Sequence, residues 1–349
     1  MRLLQRLTQL TYPKEKLQII VIDDASMDKT GEIAESYASR NPSLIKVVHR
    51  SVGGLGKAPV LNEGLKDASG EILGFFDADY LPERDILEKM VPYFTDANVG
   101  IVQGGIYVLN ERESCVSRIV TLERLGGYCV SQHARDLLGL IPQFGGTVGL
   151  VRRSLLLKLG GFSVDTLAED TDLTFRVVLE GFDVKYIIEA QSGEQAVKSL
   201  HAYWRQRTRW AVGHMQCAFK HIFPLLKSGK VSRWKKVDGL LVLSMYFLPL
   251  LTMFSAILFI LTLMFKVPMW LPFEMTFASN VLFSLNGNVA PFMEIVTASF
   301  IEHRRRLIGF CPVLLIAYFL NTLICTKALF QLIITKLTGE KLVWQKTTH

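Results

Sequence analysis

The sequence lacks the cysteine and histidine patterns that mark metal centres and disulfide frameworks. Its five cysteines include no Cys-x-x-Cys pair and no spacing typical of a zinc site. His133, His201 and His214 share no metal-ligand spacing either, so we expect them to be structural or solvent-facing. Scattered thiols of this kind indicate reduced, structural cysteines and a catalytic part that faces the cytosol.

The common glycine signatures of nucleotide binding are also missing. The segment 53–57 is a glycine-rich loop that ends in Lys57, but it fits neither the P-loop nor the dinucleotide pattern. A lysine on such a loop can approach phosphates, while a plain turn explains the same residues. We find no internal repeat, no low-complexity tract and no secretory signal at Met1.

Charged residues are scarce and apolar ones abundant, which excludes a single ordinary soluble domain. Of 349 residues, 20% are charged and 50% hydrophobic, and the mean hydropathy is +0.28. The apolar residues are most concentrated after Val237. The net charge of +7 comes from basic residues beside the apolar segments, which indicates membrane flanks rather than a nucleic-acid partner.

One apolar run ends abruptly in two carboxylates. The segment 72–79 is predicted to be a buried strand, with Asp77 and Asp79 at its end. Ligands of open α/β sheets gather beyond the carboxyl ends of strands, where two carboxylates can hold a divalent cation and, through it, a diphosphate. An acidic pair that only caps a helix beginning near Glu83 is the alternative, and this segment alone leaves both open.

The chain around this strand alternates between strands and helices. A second buried strand, 19–22, ends in Asp23 and Asp24. Further strands are predicted at 45–49, 99–103 and 184–188, with helices at 83–94, 115–140 and 152–159. This alternation predicts an α/β fold with a mostly parallel sheet flanked by helices.

Two polar segments follow. Glu169, Asp170 and Asp172 open a predicted helix, where acidic residues complement the helix dipole or supply a general base. The segment 204–210 is dense in Arg and Trp. A solvated basic helix face or an interfacial anchor has the same composition.

Taken in order, these motifs resemble family 2 glycosyltransferases. Asp23-Asp24, Asp77-Ala78-Asp79, Glu169-Asp170 and the segment 206–210 have the order and rough spacing of that family. They look most like its membrane-embedded branch of cellulose, chitin, hyaluronan and poly-N-acetylglucosamine synthases. Additional features that fit are Gly56-Lys57-Ala58 with Asn62, and 144–147 before Arg152. The resemblance covers about 17–216.

The resemblance implies a GT-A fold and transfer of a sugar from a UDP-sugar with inversion at the anomeric carbon. It assigns Asp170 as the general base, and Asp79 as the ligand of Mg²⁺ or Mn²⁺ on the diphosphate. The residues implied in nucleotide-sugar binding are Asp24, Lys57, Asp77, Asp79 and Arg209. The residues implied in acceptor binding are Gly146, Thr147, Glu169, Gln206 and Trp210.

Two departures from the family pattern shape the expectation. Ala168 stands where the family usually has threonine before Glu169 and Asp170. The family's first strand, with its Pro-x-Tyr-Asn-Glu-like turn, has no counterpart before the strand at 19–22. We therefore expect a GT-A domain at 1–212 that is incomplete at its N-terminus.

After Trp210 the sequence predicts attachment to a membrane. We expect an amphipathic interfacial segment at 213–236 and a transmembrane region at 237–349 with about 2–4 membrane segments. Candidate spans are 239–265, a returning one near 290–301 with a re-entrant or interfacial piece before it as an option, and 307–335 with Lys327 inside it. Buried core helices are the alternative. The expected location is the cell membrane, multi-pass, with a cytoplasmic catalytic domain.

The sequence is compatible with three functions. The first is a processive synthase that extends a β-linked polysaccharide, because the segment 206–210 and the following spans suit a polymer fed into a channel. The second transfers one sugar to a membrane lipid such as diacylglycerol. The third is a truncated, non-catalytic relative that acts as a membrane subunit, and accessory membrane subunits are further candidate partners of the enzyme.

Overall fold

The protein is described by a computed structural model over residues 2–265 and 272–339. Its strands are β1 (Ile19–Asp23), β2 (Ile45–His49), β3 (Ile72–Phe75), β4 (Tyr80–Pro82), β5 (Val99–Val108), β6 (Gly149–Arg152) and β7 (Asp183–Glu194). Its α-helices are α1 (Arg2–Thr8), α2 (Thr30–Arg40), α3 (Lys57–Asp67), α4 (Ile86–Met90), α5 (Cys115–Arg124), α6 (His133–Leu137), α7 (Arg153–Lys158), α8 (Glu169–Leu179), α9 (Leu200–Lys227), α10 (Arg233–Ser244), α11 (Leu248–Met264), α12 (Phe273–Ile301) and α13 (Val313–Thr338). A π-helix, Leu125–Gln132, joins α5 to α6, and 3₁₀ turns lie at Lys14–Lys16, Val91–Thr95 and Arg305–Phe310.

The strands form two sheets flanked by helices, which confirms the α/β class. β1 and β2 pair in parallel, and the five-stranded sheet has the order β3-β6-β5-β7-β4. Within it only β5 and β7 are parallel, so the sheet is mixed and the expected parallel majority is wrong. The helical stretch between β5 and β6 brings the chain back beside β5, so that β6 runs antiparallel to β5. The alternation of strands and helices alone does not distinguish this return from a crossover to a parallel strand.

Several element bounds differ from expectation. The strand predicted at 72–79 ends at Phe75, because a bond from the Tyr80 N–H to the Asp77 carbonyl (3.0 Å) turns the chain there. Both carboxylates therefore lie in the turn between β3 and β4. The helix predicted at 83–94 is α4 followed by a 3₁₀ turn that contains Pro92, which cannot donate a helical hydrogen bond.

Helix α9 packs closely on the segment that leads into α8. A Cβ on Gly213 would lie 2.6 Å from the Ala168 nitrogen, so only glycine permits this approach. A buried ion cluster joins the same two helices: the Asp172 carboxylate contacts Arg176 (2.6 Å), Lys220 (2.8 Å) and His221 (2.8 Å). The start of α8 is consequently held against α9.

The C-terminal apolar region is more broken than expected. The span predicted at 239–265 is two helices, α10 and α11, bent by 65°. Pro249 in the first turn of α11 has no N–H to donate to the Met245 carbonyl, so it cannot continue the helix from α10, which explains a break near this point. An interrupted segment was expected before Ile301, but 273–301 form one helix, α12. The residues 266–271 of that expected segment lie outside the described residues.

Among the described residues, α13 is the one single helix long and apolar enough to cross a membrane. The bent pair α10–α11 adds a second if the pair is one span. One side of α13 packs on α9, while its large exposed residues are Leu315, Ile316, Phe319, Leu323, Phe330, Ile333, Ile334 and Leu337. Helix α9 runs through the predicted boundary at 212/213, and the three-part division stays a prediction.

Candidate active site

Lys57 is the central contact of the candidate site. It is the first residue of α3, directly after the glycine-rich loop. Its Nζ lies 2.6 Å from Asp77 Oδ1 and donates a hydrogen bond to the Gly146 carbonyl at 2.9 Å. The lysine therefore joins three segments that are far apart in the sequence.

The turn that carries Asp77 and Asp79 is tied to the same loop. The Asp77 N–H donates to Thr147 Oγ1 at 3.0 Å, and Thr147 is buried. Asp79 is half-buried and lies in the wall of a cavity of about 280 Å³, next to Tyr80 and Gln195. The two carboxylates thus have different surroundings, one at the lysine and one at the cavity.

Buried Gln103 fixes the loop 145–147, and sequence reasoning missed it. Its Oε1 accepts from the Gly145 N–H (2.8 Å), and its Nε2 lies within hydrogen-bond distance of the Thr147 carbonyl (3.1 Å). Gly146 adopts φ +74°, and a Cβ there would lie 3.1 Å from Asp170 Oδ2. The signal available in the sequence was a glutamine inside the apolar strand β5.

Glu169 and Asp170 form the first turn of α8. Asp170 Oδ1 accepts from the Thr171 N–H at 2.7 Å. The segment before them is fixed by α9, because the Leu167 N–H donates to Gln216 Oε1 at 2.9 Å. Glu169 is buried and Asp170 half-buried, so the second carboxylate is the more accessible of the two.

The cluster has an excess of negative charge. Burial lowers the pKa of Lys57, but the carboxylates of Asp77, Glu169 and Asp170 outweigh burial and raise that pKa above its usual value. The pKa of Asp77 is raised because burial outweighs the attraction of Lys57, and Asp79 and Asp170 add repulsion. Burial and then Asp170 raise the pKa of Glu169. Three carboxylates therefore influence one ammonium group, and Asp79 adds a fourth negative charge beside Asp77.

This charge balance fits a divalent cation that arrives with a phosphate ligand. No group of three or more His, Cys, Asp or Glu side chains within 2–265 and 272–339 could hold a metal ion by itself. Mg²⁺ is commonly bound by one or two carboxylates plus substrate phosphates. Asp79, half-buried at the cavity, offers such an oxygen ligand, and an added cation offsets the repulsion between the cluster and a diphosphate.

Asp24 lies at the end of β1 and is held by a different set of groups. Its carboxylate forms an ion pair with Arg50 and accepts from the Gly54 N–H at 3.0 Å. The glycine loop before Lys57 is therefore attached to Asp24, although the carboxylate itself bonds to the loop rather than to the lysine. Arg50, at the end of β2, is a second residue that sequence reasoning missed.

Gln206, Arg209 and Trp210 are half-buried on α9. The guanidinium groups of Arg207 and Arg124 lie 4.3 Å and 5.3 Å from the centroid of the Trp210 ring. Arg124 is a third residue that sequence reasoning missed, because its carboxylate partner lies 70 positions away at Glu194. The predicted roles of Gln206, Arg209 and Trp210 stay predictions.

His214, which the sequence predicts to be structural or solvent-facing, lies on α9 close to the first turn of α8. His214 Nε2 lies 3.4 Å from Thr171 Oγ1, and the His214 ring centroid lies 4.7 Å from that of Tyr246. Burial lowers the pKa of His214, although Asp170 acts in the opposite direction. Its neutral form is favoured, so His214 acts on Asp170 as a polar neighbour rather than as a fixed cation.

The structure brings together six of the residues that the sequence predicts to be functional. They are Lys57, Asp77, Gly146, Thr147, Glu169 and Asp170. Asp79 is close enough to influence the pKa of Asp77. Asp24 lies on the other side of the glycine loop. The segment 206–210 lies on α9, outside this cluster.

The family model and the fold comparison that match this chain both come from glycosyltransferases. The model of the family Glycosyl transferase family 2 matches residues 2–157, and the chain carries a family 2 glycosyltransferase domain. The fold is similar to that of the mannosyltransferase PcManGT from Pyrobaculum calidifontis in complex with GDP-Man and Mn²⁺. That match has a TM-score of 0.59 and 24% identity, and it covers 85% of this chain and 81% of that one.

Two curated relatives differ in their named products. The β-monoglucosyldiacylglycerol synthase of Trichormus variabilis is 34% identical over 250 residues, 71% of this chain and 53% of the relative. The poly-β-1,6-N-acetyl-D-glucosamine synthase of Staphylococcus epidermidis is 29% identical over 230 residues, 66% of this chain and 54% of the relative. The chain spans about half the length of the curated relatives it matches.

Proposed function

We propose that the protein is an inverting glycosyltransferase that moves a sugar from a UDP-sugar to a growing β-linked polysaccharide at the membrane. The observation that carries the proposal is the cluster in which Lys57 contacts Asp77 and the Gly146 carbonyl, with Asp170 beside Gly146. A cation and a base candidate are thus next to each other, as transfer from a nucleoside diphosphate sugar requires.

In the proposed reaction the Asp170 carboxylate takes the proton of an acceptor hydroxyl as that oxygen attacks the anomeric carbon. The bond from the anomeric carbon to the phosphate oxygen breaks, and the diphosphate leaves with the electron pair. This single displacement converts an α-linked donor into a β-linkage. Asp170 suits the role because it is half-buried and its Oδ1 is oriented by the Thr171 N–H.

The donor is proposed to be held by side chains from four segments. Lys57 has three N–H groups, and an incoming phosphate can take one in place of Asp77 or the Gly146 carbonyl. Asp24, Asp77 and Arg209 complete the proposed nucleotide-sugar contacts. Mg²⁺ or Mn²⁺, with Asp79 as its protein ligand, supplies charge stabilisation of the leaving diphosphate when bound.

The acceptor is proposed to enter from the side of α9. Gly146, Thr147 and Glu169 lie at the cluster, and Gln206 and Trp210 lie on the helix against which α13 packs. Lys327 of α13 lies 5.7 Å over the ring of Trp204, so a polar group joins the apolar helix to this side. A polymer that leaves the site on this side meets α13 next, which is the route that a processive synthase needs.

A single-sugar transfer to a membrane lipid is the second candidate. The relative from Trichormus variabilis is a β-monoglucosyldiacylglycerol synthase, and its identity of 34% exceeds the 29% of the polymer synthase. A lipid acceptor also reaches the site from the apolar helices. The two candidates share the donor chemistry and differ in the size of the product.

We further propose a multi-pass protein of the cell membrane with a cytoplasmic catalytic domain. The support is α13, the bent pair α10–α11, and the exposed apolar side chains of α9 and α10 beside basic residues. Phe219, Phe223 and Trp234 are exposed in the same region as Lys227 and Arg233. Aromatic and basic residues together are typical of a membrane interface.

The test is release of nucleoside diphosphate by membranes that contain the chain. A panel of UDP-sugars, with GDP-mannose as an additional donor, is supplied with Mn²⁺ or Mg²⁺. We expect donor-dependent release in the wild type and a loss of about 10²-fold or more in Asp170→Asn. Asp165→Asn, an exposed carboxylate five positions before Asp170, is the matched control and keeps full activity.

Each outcome has a separate meaning. Full release in Asp170→Asn contradicts the assigned base. High-molecular-mass product favours the polymer, and a product that extracts with lipid favours the second candidate. No release from any donor contradicts the enzyme and favours a non-catalytic membrane subunit.

A further inference from the structure

A buried carboxylate at the end of β7 connects the two sides of the candidate site. Glu194 is 5% exposed, and Tyr80 Oη donates to its Oε2 at 2.5 Å. Tyr80 directly follows Asp79, and the Asp79 carbonyl accepts from the Gln195 N–H at 3.3 Å. The end of β7 therefore holds the backbone on the donor side of the site.

The same carboxylate binds Arg124 through two parallel hydrogen bonds. Arg124 Nε donates to Oε1 at 2.6 Å, and Nη2 donates to Oε2 at 3.0 Å. This planar, two-bond geometry fixes the orientation of the guanidinium as well as its position. Arg124 is the last residue of α5, so a helix end is attached to the strand that holds Tyr80.

The fixed guanidinium then lies against Trp210 on α9. It is 5.3 Å from the centroid of the ring, within the range of a cation–π contact. Arg207 lies 4.3 Å from the same ring and forms an ion pair with Glu123, the neighbour of Arg124 in α5. Two adjacent residues of α5 thus determine where the Trp210 ring lies.

We propose that Arg124 is a positioning residue that couples the Asp79–Tyr80 turn to Trp210 through Glu194. This inference rests on the proposed function, in which Asp79 is on the donor side and Trp210 is on the acceptor side. A change at the donor turn moves Tyr80, and Glu194 and Arg124 transmit that change to the ring that meets the acceptor. The role requires the two-bond fork, which lysine lacks.

The first test separates acceptor from donor effects in steady-state transfer. Arg124→Gln is expected to lower kcat/KM for the acceptor about 10-fold or more, while KM for the donor stays within about twofold. Arg124→Lys retains the charge but loses the fork, and we expect it to restore little of the loss. In the double variant with Trp210→Phe, the loss is no larger than in Trp210→Phe alone, because both changes break one chain of contacts.

Arg135→Gln is the matched control. Arg135 binds the Asp238 carboxylate, and the exposed fractions of that pair, 24% and 8%, are close to the 18% and 6% of Arg124 and Glu194. A loss in Arg135→Gln equal to that in Arg124→Gln, or additive losses in the Trp210 double variant, overturns the proposal. Full rescue by Arg124→Lys also overturns it.

A second readout does not depend on turnover. The fluorescence emission of Trp210 is recorded while UDP and Mn²⁺ are added. For each protein it is obtained by subtracting the emission of the same protein that also carries Trp210→Phe. We expect a change in the wild type and in Arg135→Gln, and none in Glu194→Gln. Calorimetric binding of UDP without an emission change in the wild type overturns the coupling alone. No binding of UDP and no transfer overturn the proposed function as well.

Discussion

The two sheets hold their parts of the candidate site in different ways. On the two-stranded sheet, Asp23 and Asp24 are bound by His49 and Arg50 at the rim, and the His49 side chain is 46% exposed. On the five-stranded sheet, the corresponding holding groups are buried, with Gln103 at 0% exposure. The proposed nucleotide end is thus held by contacts that are partly open to water, while the proposed reacting end is built on enclosed ones. Equal substitutions should therefore have unequal effects.

The largest effect on stability is expected from the ion cluster around Asp172, which joins α8 to α9. Asp172→Asn leaves Arg176 and His221 without their carboxylate inside the core, and breaking one member of a buried cluster costs about 3–5 kcal/mol. Denaturant unfolding in detergent measures this loss. Asp67→Asn breaks an exposed pair with Lys46 and should cost less than about 1 kcal/mol.

The cluster also predicts sensitivity to acid. Burial alone raises the pKa of Asp172, but bonds from His221 and Lys220 and the charge of Arg176 outweigh it, and the pKa is well below its usual value. A depressed pKa means that the stabilisation is present above the unfolded pKa near 3.8 and is lost as the pH falls below it. Equal loss of stability in wild type and Asp172→Asn on acidification contradicts this assignment.

An intermediate effect is expected at the loop beside Lys57. Gln103→Leu removes the acceptor of the Gly145 N–H and the donor near the Thr147 carbonyl, at a cost of about 1–3 kcal/mol. Because Gly146 accepts from Lys57, transfer should fall together with stability. Unfolding and nucleotide release are measured on the same preparation. A variant that is less stable but fully active would show that the loop does not hold the site.

A smaller effect is expected at the rim of the first sheet. Arg50→Gln breaks the ion pair with Asp24, whose side chains are 13% and 29% exposed, so the stability loss should exceed that of an exposed pair and stay below that of the Asp172 cluster. Since Asp24 is proposed to contact the nucleotide, KM for the donor should rise by about 3- to 10-fold with kcat unchanged. A fall in kcat at constant KM would place Asp24 in the chemical step instead.

The smallest effect is expected at His49, and it depends on pH. Hydrogen bonds to Glu35 and then Asp23 raise the pKa of His49, so the protonated ring stabilises the fold. That stabilisation is complete below the unfolded pKa near 6.5 and is lost as the pH rises through the higher folded pKa. The melting temperature of wild type relative to His49→Gln should fall across this window. His201→Gln, at an exposed position of α9, should show no such change relative to wild type.

The residues that converge on the site could be predicted, but their partners could not. Asp77, Asp79 and Asp170 each follow a recognisable local pattern, a strand end or a helix start, and the structure gathers Asp77 and Asp170 around Lys57. Gln103 and Arg124 have no local signal of comparable strength, because each bonds to a group more than 40 positions away. Such pairs form only when strands and helices have packed.

Strand direction and helix breaks could not be predicted from the sequence either, for the same reason. The pattern of β5, a helical stretch and β6 is compatible with a crossover or with a return, and packing decides for the return. The apolar run 239–265 is long enough for one span, and its break near Pro249 depends on how the chain packs there. Within 239–265 the residues on both sides of the break are apolar and uncharged, so hydropathy does not reveal the break.

Because the chain bends between α10 and α11, the neighbouring helices α11 and α13 differ greatly in length. At about 1.5 Å per residue, the 17 residues of α11 extend ~26 Å and the 26 residues of α13 extend ~39 Å. Thr326 of α13 bonds to Met253 of α11, which keeps the two side by side. Where both lie in a bilayer with an apolar core of about 30 Å, one is too short and the other too long. A tilt of α13 relieves its excess and displaces α9, so the transferase should work fastest in lipids of one acyl-chain length.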